Sequence, residues 1–497
     1  MKRSRMLRSI FSVSVLLIWV KLLGFMKQMV VASTFGATIQ TDLINISYGF
    51  VGNMQYLLVQ VLLTCLVSVY VTVREQKPEQ AGPFAFKSFV LISIGTSVVS
   101  AIMFLAAPWL AKILAPSYGA DQLQKLAGYL RLFAPLLIFF AWIAVFHALL
   151  NGNRRFIPGQ LEGLYQSVVL IFMALVAARY LGINALSMGY WMYAVFTALI
   201  LAVQSHRYLK PTYGNPVRDP HVRAMLRMIA PMLLGYSTIY LNQMVDKMLS
   251  SGLETGTVTG MSYAAVLLNL VGTVTTSISS VLYTHMTEHI AQGNEKAVAN
   301  LAERSIILLT VILFPVAVIT ILQAEDLITL VYGRGAYGAS EIKITAAALA
   351  GYGFTIVPYV WYEIFTKIQY GYQNSKAPTR NSLIGVGSNI ILSILLCSRL
   401  GVFGITLASS VSTFIMGMLN GRTAKRTLSC ISFGRLMRAV PALTIGGVVA
   451  VFFCLCGQTW FAACSVFVRL CLITGIAFVS FVLIAVPMLY KLGIKLR

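Results

Sequence analysis

The chain has 497 residues, of which 58% are hydrophobic and only 11% are charged, and its mean hydropathy is +0.80. Soluble domains carry about a quarter charged residues, so this composition excludes a soluble enzyme or binding module. The formal net charge is +23, but most of the 38 lysines and arginines fall in alternate loops between apolar runs. This pattern follows the positive-inside rule, so the charge reflects topology and no nucleic-acid partner is expected.

The apolar runs predict an all-α polytopic membrane protein with fourteen transmembrane helices. An even number of spans, together with the placement of Lys and Arg, predicts that both termini are cytoplasmic. The first run is too long for a signal-peptide core and no small-residue cleavage site follows it, so it is retained as a helix. The predicted spans lie at 6–33, 43–73, 88–110, 126–150, 158–179, 183–204, 224–250, 257–284, 302–323, 342–368, 381–398, 401–421, 437–457 and 463–490.

Cationic residues lie inside the first predicted span. Lys21 lies about fifteen residues into the apolar run, which at roughly 1.5 Å per residue places it near the middle of the bilayer. An ammonium group there costs at least roughly 2.5 kcal/mol, so it should meet a polar cavity or an anion. Lys21, Gly24, Lys27 and Gln28 share one helical face, which favours anion binding. The alternative is that the lysines snorkel, above all Lys27.

The second predicted span begins near Asp42. An aspartate at that place is a candidate N-cap, and the alternative is a gate or counter-ion role. The span also carries Asn45, Asn53, Gln55 and Gln60. So many polar residues in one span indicate that one side of it lines water or another helix.

The basic, proline-rich stretch 205–223 reads as a cytoplasmic linker between two halves. A constant shift aligns Gln-Met-Val at 28–30 with 243–245, and Ser-Tyr at 47–48 with 262–263. Six spans separate the copies, so the halves should form a parallel pseudo-repeat. The predicted divisions are an N-lobe at 1–204, the linker at 205–223, a C-lobe at 224–425 and an added helix pair at 426–497. That pair is nearly apolar apart from Arg469, which indicates either a lipid-tail groove or plain packing.

Other spans also carry charge. Asp246 and Lys247 are adjacent in the seventh span and point about 100° apart, so they do not simply neutralise each other. Asp246 is therefore either a cation or proton ligand or part of an ion pair between helices. Glu363 and Lys367 in the tenth span have the i, i+4 order that favours an intrahelical ion pair. The seven cysteines form no C-x-x-C pair, so neither a disulfide framework nor a metal site is indicated.

Three motifs resemble the MurJ/MviN family of lipid II flippases, in the multidrug/oligosaccharidyl-lipid/polysaccharide exporter superfamily. They are GFMKQMVVASTFGATIQTD at 24–42, YLNQMVDKMLSSGLETGTVTGMSYA at 240–264, and GYQNSKAPTR at 371–380, which leads into Asn389. The resemblance covers the first twelve spans in order. It implies two six-helix lobes around a central cationic cavity, alternating access, and a final helix pair associated with the lipid tail.

The resemblance also implies roles for single residues. Lys21 and Lys27 fall at arginine positions of the family, and Asp42 falls at its aspartate. By the same resemblance, Asn389 and Ser409 are expected to join Asp246 as oxygen donors of a monovalent cation site, with Na⁺ or H⁺ as the coupling ion and no other cofactor.

The chain departs from the family where the second and eighth spans should carry arginine. Residues 51–57 read VGNMQYL and residues 263–266 read YAAV, both without a cation. Arg131, Lys247 and Lys367 are the candidate substitutes. Lysine in place of arginine also exchanges a planar bidentate donor for a point charge.

These features predict a multi-pass flippase of the bacterial cytoplasmic membrane. It would move an undecaprenyl-pyrophosphate-linked sugar, the peptidoglycan precursor lipid II, from the inner to the outer leaflet without covalent chemistry. No nucleotide-binding glycine loop is seen, so the membrane potential or a coupling ion should drive transport. The expected partners are the lipid-linked sugar and membrane lipids. We expect a monomer, with cell-wall synthesis proteins as candidate contacts.

Three alternatives remain open at this point. A flippase for an exopolysaccharide or O-antigen type of lipid-linked oligosaccharide would use the same fold. A cation-coupled drug antiporter of the same superfamily should have a more acidic cavity. A membrane polymerase or glycosyltransferase should have convergent polar groups in a large outer loop, whereas residues 324–342 offer few.

Overall fold

The computed structural model describes the backbone of residues 2–494 and, within it, all side chains except those of residues 2–18, 230, 231, 234–239 and 241. Within this range the chain is helical and contains no strand, which confirms the predicted all-α class. It divides into two compact units, residues 1–258 with 335–337 and residues 259–334 with 338–497. The units thus divide after 258 and not within the linker, and the six-plus-six repeat stays a prediction.

The first unit is built around α2 and α6, whose side chains fill its apolar core. Fully buried Leu66 and Phe140 come from these two helices. A π turn at Met173–Ala177 joins α8 to α9. The helices are α1 (Lys2–Phe35), α2 (Ile39–Gln76), α3 (Pro78–Leu105), α4 (Ala107–Leu114), α5 (Ala120–Phe133), α6 (Leu136–Gly152), α7 (Ile157–Gln160), α8 (Glu162–Phe172), α9 (Ala178–Leu181), α10 (Asn184–Ser205) and α11 (Pro220–Ser250).

The polar linker is fastened to the first unit by Asp219. Its carboxylate caps α11 by accepting from the backbone N–H groups of His221 and Val222, and it pairs with Lys87 of α3 at 2.9 Å. Burial alone would raise the pKa of Asp219, but the hydrogen bond from Lys87 and those from the backbone outweigh it, so the pKa lies below its ordinary value. These contacts fix the end of the linker beside α3.

The low pKa of Asp219 predicts a pH-dependent contribution to stability. A depressed carboxyl pKa stabilises the folded state fully above the unfolded value, near 3.9, and this contribution is lost as the pH falls through the folded value. Asp219→Asn should therefore lower the melting temperature in detergent at pH 7, and the difference from wild type should shrink below about pH 4. Glu75→Gln, which removes an exposed ion pair with Arg74, should show no such trend.

The second unit packs α13 against the final helix pair. Gly447 leaves room for the Phe314 ring of α13, and Gly446 leaves room for Phe481. Arg469 forms a bidentate ion pair with Asp326, which ties α19 to α14. The helices are α12 (Thr257–Ala291, whose first two residues belong to the first unit), α13 (Glu295–Leu322), α14 (Ala324–Tyr332), α15 (Ala339–Gly353), α16 (Ile356–Gly371), α17 (Lys376–Thr427), α18 (Phe433–Trp460) and α19 (Val466–Lys491).

The long helix α17 is a hairpin of two antiparallel arms. Gly401 at its centre has φ 56° and ψ −136°, outside helical geometry. Three side-chain hydrogen bonds join the arms at increasing distance from this glycine: Asn389 to Ser409 at 2.9 Å, Ser412 to Gly385 at 2.6 Å, and Asn381 to Asn420 at 2.7 Å. The two arms correspond to the separate spans predicted at 381–398 and 401–421.

The number of spans is counted only over the described residues. By length and apolar composition, ten helices can cross a membrane, or eleven if α15 and α16, bent by 43°, form one span. In that count the α17 hairpin is a single helix, and α1 and α11 are not included. The protein is therefore a multi-pass helical membrane protein, while the predicted number of fourteen stays a prediction.

Substitution of Gly401 tests whether the turn between the two arms of α17 requires glycine. Its backbone conformation is one that residues with a Cβ avoid, at a cost of roughly 1–3 kcal/mol, although no atom would collide with an added Cβ. Gly401→Ala should therefore lower the melting temperature. Gly387→Ala, at an equally open site within the first arm, is the matched control and should be neutral or stabilising because alanine favours a helix by about 1 kcal/mol. Equal effects of the two changes would contradict the turn.

Candidate functional site

A chain of polar contacts crosses the first unit inside the membrane-spanning region. Lys27 of α1 donates from Nζ to Oε1 of Gln166 on α8 at 3.0 Å, and Nε2 of Gln166 donates to the hydroxyl of Tyr48 on α2 at 2.9 Å. The Tyr48 ring stacks on Tyr190 of α10, with 3.5 Å between centroids. The Lys27 side chain is thus held by a neutral amide oxygen and not by a carboxylate.

A second polar group lies one turn earlier on α8. Oε1 of Glu162 accepts hydrogen bonds from Nε2 of Gln55 on α2 and from the hydroxyl of Tyr193 on α10, the latter at 2.7 Å. Gln55 also donates to the Tyr193 hydroxyl at 2.8 Å. Glu162 and Gln166 share a face of α8 because they are four residues apart. The polar side of the second predicted span therefore meets other helices, which is one of the two uses its sequence indicated.

The sequence interpretation missed Glu162. The signal was present, because a carboxylate inside a predicted span with an amide four residues later marks a polar face. What the sequence did not show was the partner helix.

Glycine at 163 lets α1 approach α8, because an added Cβ there would lie 2.9 Å from Val20. An added Cβ at Gly24 would lie 3.9 Å from Oγ of Ser167, which is an ordinary contact. The predicted face of α1 therefore packs against α8 at Gly24 and Lys27. Lys21, on the same face, is exposed and has no polar partner among the described side chains.

The side chain of Lys247 occupies a space beside α2 that a glycine leaves open. Its Nζ donates to the backbone carbonyl of Asn45 at 3.2 Å. At Gly49, one turn further along α2, an added Cβ would lie only 1.9 Å from this nitrogen. Glycine at 49 therefore leaves the space that the ammonium fills. Like Lys27, this ammonium is held by a neutral oxygen.

Asp42 joins two outer segments of the first unit. The interpretation of Asp42 as the N-cap is wrong, because Thr38 is the N-cap and forms a reciprocal capping box with Thr41. Asp42 lies in the first turn of α2, one residue after Thr41. It is only 2% exposed, and its carboxylate accepts a hydrogen bond from the backbone N–H of Gly256 at 2.7 Å. Burial and the negative charge of Asp42 together raise the pKa of Tyr118 in the nearby loop. The carboxylate is thus a buried link between the start of α2 and the segment after α11.

Two of the predicted substitute cations have other surroundings. Arg131 is exposed on α5, where its guanidinium lies 5.8 Å from the centre of the Phe104 ring. Lys367 pairs with Glu363 at 3.5 Å, as its i, i+4 spacing predicted, and lies over the Tyr283 ring. Glu363 also accepts from Ser279 at 2.9 Å. Of the three predicted substitutes, only Lys247 donates to a neutral oxygen among the described residues.

The predicted cation ligands fall in both units. Asp246 is buried in the first unit. In the second, Asn389 donates to Oγ of Ser409 and its Oδ1 accepts from Ser393 at 3.0 Å. These amide and hydroxyl groups are hydrogen-bonded to one another. The site stays a prediction.

The fold resembles that of known transporters. The chain superposes on a solved structure titled lipid II flippase MurJ, inward closed conformation, with a TM-score of 0.82 and 17% identity over 98% of this chain and 100% of that one. An inward-facing multidrug resistance MATE family transporter of the MOP superfamily matches with a TM-score of 0.70 and 12% identity over 83% of this chain and 94% of the other. The chain therefore shares its fold with these two solved structures.

The sequence comparison is more specific. The family model described as lipid II flippase MurJ matches residues 31–474. A probable lipid II flippase MurJ from Rhizobium tropici is 26% identical over 80% of this chain and 76% of its own length. Another, from Treponema pallidum (strain Nichols), is 22% identical over 90% and 88%. The chain belongs to the lipid II flippase MurJ family, whose members are transporters and not enzymes.

The link between Asp42 and Gly256 can be tested directly. Asp42→Ala leaves a buried N–H without its charged acceptor, which should cost roughly 1.5–3 kcal/mol of unfolding free energy, while Asp42→Asn keeps an acceptor and should cost less. Thermal unfolding of the purified protein in detergent measures both. Asp121→Asn, which removes an exposed carboxylate from the first turn of α5, should change little. An equally small effect of Asp42→Ala would contradict the assignment.

Proposed function

We propose that this protein carries lipid II from the inner to the outer leaflet of the bacterial cytoplasmic membrane. It would work as a monomer with both termini in the cytoplasm, by alternating access and without covalent chemistry. The family and the names of its relatives support lipid II as the cargo. The alternatives, another lipid-linked glycan or a drug, have no comparable support.

The observation that carries this proposal is the way the ammonium groups of Lys27 and Lys247 are held. Both lie in predicted membrane spans of the first unit, and both donate to neutral oxygens, one amide and one backbone carbonyl. A carboxylate partner would offset each positive charge, whereas a neutral acceptor leaves it available. A pyrophosphate is the anionic part of the cargo, and each charge-assisted contact to it would contribute roughly 1.5–3 kcal/mol.

The driving force follows from charge. Moving an anion outward through an inside-negative potential is favourable by roughly 2.3 kcal/mol per charge per 100 mV. Asp246, with Asn389 and Ser409, remains our candidate for a sodium-dependent step. Asp246→Asn should weaken any sodium dependence of transport, and transport that responds to neither sodium nor this change would leave Asp246 with a structural role.

The prenyl chain needs an apolar path. In the second unit a cavity of about 360 Å³ lies beside α18 and is lined almost wholly by apolar side chains, among them Phe314, Val318, Val357 and Val451. This supports the proposal that the region next to residues 426–497 accepts part of the lipid tail.

Replacement of an essential lipid II flippase tests the cargo. Cells depleted of their own flippase and supplied with this chain should grow with normal peptidoglycan. Lysis despite confirmed membrane expression would overturn lipid II and favour an exopolysaccharide precursor, which the missing arginines at 51–57 and 263–266 would then explain.

The same assay tests the cations. Lys27→Ala and Lys247→Ala should each weaken pyrophosphate binding about ten- to a hundredfold and fail to support growth. Lys21→Ala should also fail, because an idle ammonium at its predicted depth would be costly, whereas Lys21→Arg should work. Lys125→Ala, an exposed lysine paired with Asp121, is the matched control and should grow normally. Growth of the Lys27 and Lys247 variants at normal expression would refute their role.

A further inference from the structure

Glu162 is a membrane-embedded carboxyl group to which neither the family motifs nor the proposed transport step gives a role. Only one of its oxygens is occupied: Oε1 accepts from Gln55 and Tyr193, and Oε2 has no polar partner among the described side chains. The side chain is half-buried and not sealed. Oε2 can bind a proton while both hydrogen bonds to Oε1 remain, because a protonated carboxyl keeps its accepting oxygen.

Five helices contribute titratable groups to the polar contacts around Glu162 or to its neighbours in α7 and α8. Among the described residues, the cation in this group is Lys27, linked through Gln166, which lies one turn further along the same face of α8. The other titratable groups are Tyr48 of α2, Tyr190 and Tyr193 of α10, Tyr165 of α8, and His147 of α6, which packs against Gly159 of α7. The ordinary pKa of tyrosine, about 10, lies above the pH range of the test below, whereas that of histidine, about 6.5, lies within it. A dependence on pH that is lost in Glu162→Gln is therefore the feature that assigns the proton to Glu162.

Glu162 lies one helical turn from Gln166, the amide that holds the Lys27 ammonium. An anion that binds the Lys27 ammonium brings further negative charge near the Glu162 carboxylate, and like charges in a poorly solvated region disfavour each other. Protonation of Glu162 removes this repulsion without breaking the contacts of Gln55 and Tyr193.

We propose that Glu162 is a proton-binding site and that it takes up a proton when an anionic pyrophosphate binds at Lys27. This inference rests on the proposed function. By linkage the coupling is reciprocal, so protonation must tighten binding of the anion by the same factor by which the anion favours protonation. The proton comes from water and returns to water when the anion leaves.

The test is the pH dependence of lipid II binding to the full-length protein in nanodiscs. The pyrophosphate of lipid II is esterified at both ends, so it keeps its charge between pH 5.5 and 8. Wild-type affinity should rise as the pH falls, by at most about tenfold per pH unit for a single proton. Glu162→Gln, which mimics the protonated carboxyl, should bind at least as tightly as wild type does at low pH and should lose most of this slope.

Glu79→Gln is the matched control, since Glu79 is exposed in the first turn of α3 and should leave the slope intact. Difference infrared spectra of the wild type give a second readout that does not depend on folding of the variant. A protonated-carboxyl band should appear when lipid II is added.

The outcomes separate this inference from the proposed function. Lipid II binding that requires Lys27 but has the same pH slope in wild type and Glu162→Gln, or a wild-type spectrum without the new band, would overturn the role of Glu162 alone. Absence of lipid II binding at every pH would overturn both.

Discussion

The first unit depends on one constraint, which is that an ammonium group inside a membrane must be solvated by the protein. Lys27 and Lys247 meet it with neutral oxygens from other helices, the amide of Gln166 and the carbonyl of Asn45. Each contact requires close helix packing, and glycine provides it at 163 between α1 and α8 and at 49 between α2 and α11. The positions of these helices and the availability of two positive charges thus have the same cause.

Neutral partners also explain how the chain can lack the arginines that the family motifs led us to expect. An ammonium group held by an amide is a weaker anchor than a bidentate guanidinium, but its charge is not offset by a neighbouring carboxylate. Glu162 is the exception that needs a reason, because it places a negative charge one helical turn from the Lys27 contact. A carboxyl group that is ionised in the empty site and protonated in the loaded site would serve both states.

The second unit is held by contacts of another kind. Its apolar helices approach over glycines, and a bidentate pair of Arg469 and Asp326 fastens the final helix to α14. The two arms of α17 are joined by amide and hydroxyl groups, which in a membrane can satisfy one another without a buried net charge. Among the residues of this unit that the structure describes, no pair of ammonium groups is held by neutral oxygens.

The sequence by itself determined the helical class, the family and the approximate positions of most helices. Apolar length, lysine and arginine placement and local i, i+4 spacing are properties of neighbouring residues, so they also predicted the Glu363–Lys367 pair and the break between the arms of α17. Only the tertiary structure decided which polar groups meet. Lys27 and Gln166 are 139 residues apart, and their contact exists because α1 packs on α8. The N-cap assignment of Asp42 failed for a local reason, because Thr38 and Thr41 form the capping box. The contact of Asp42 with Gly256, more than two hundred residues further along the chain, was decided by the tertiary structure.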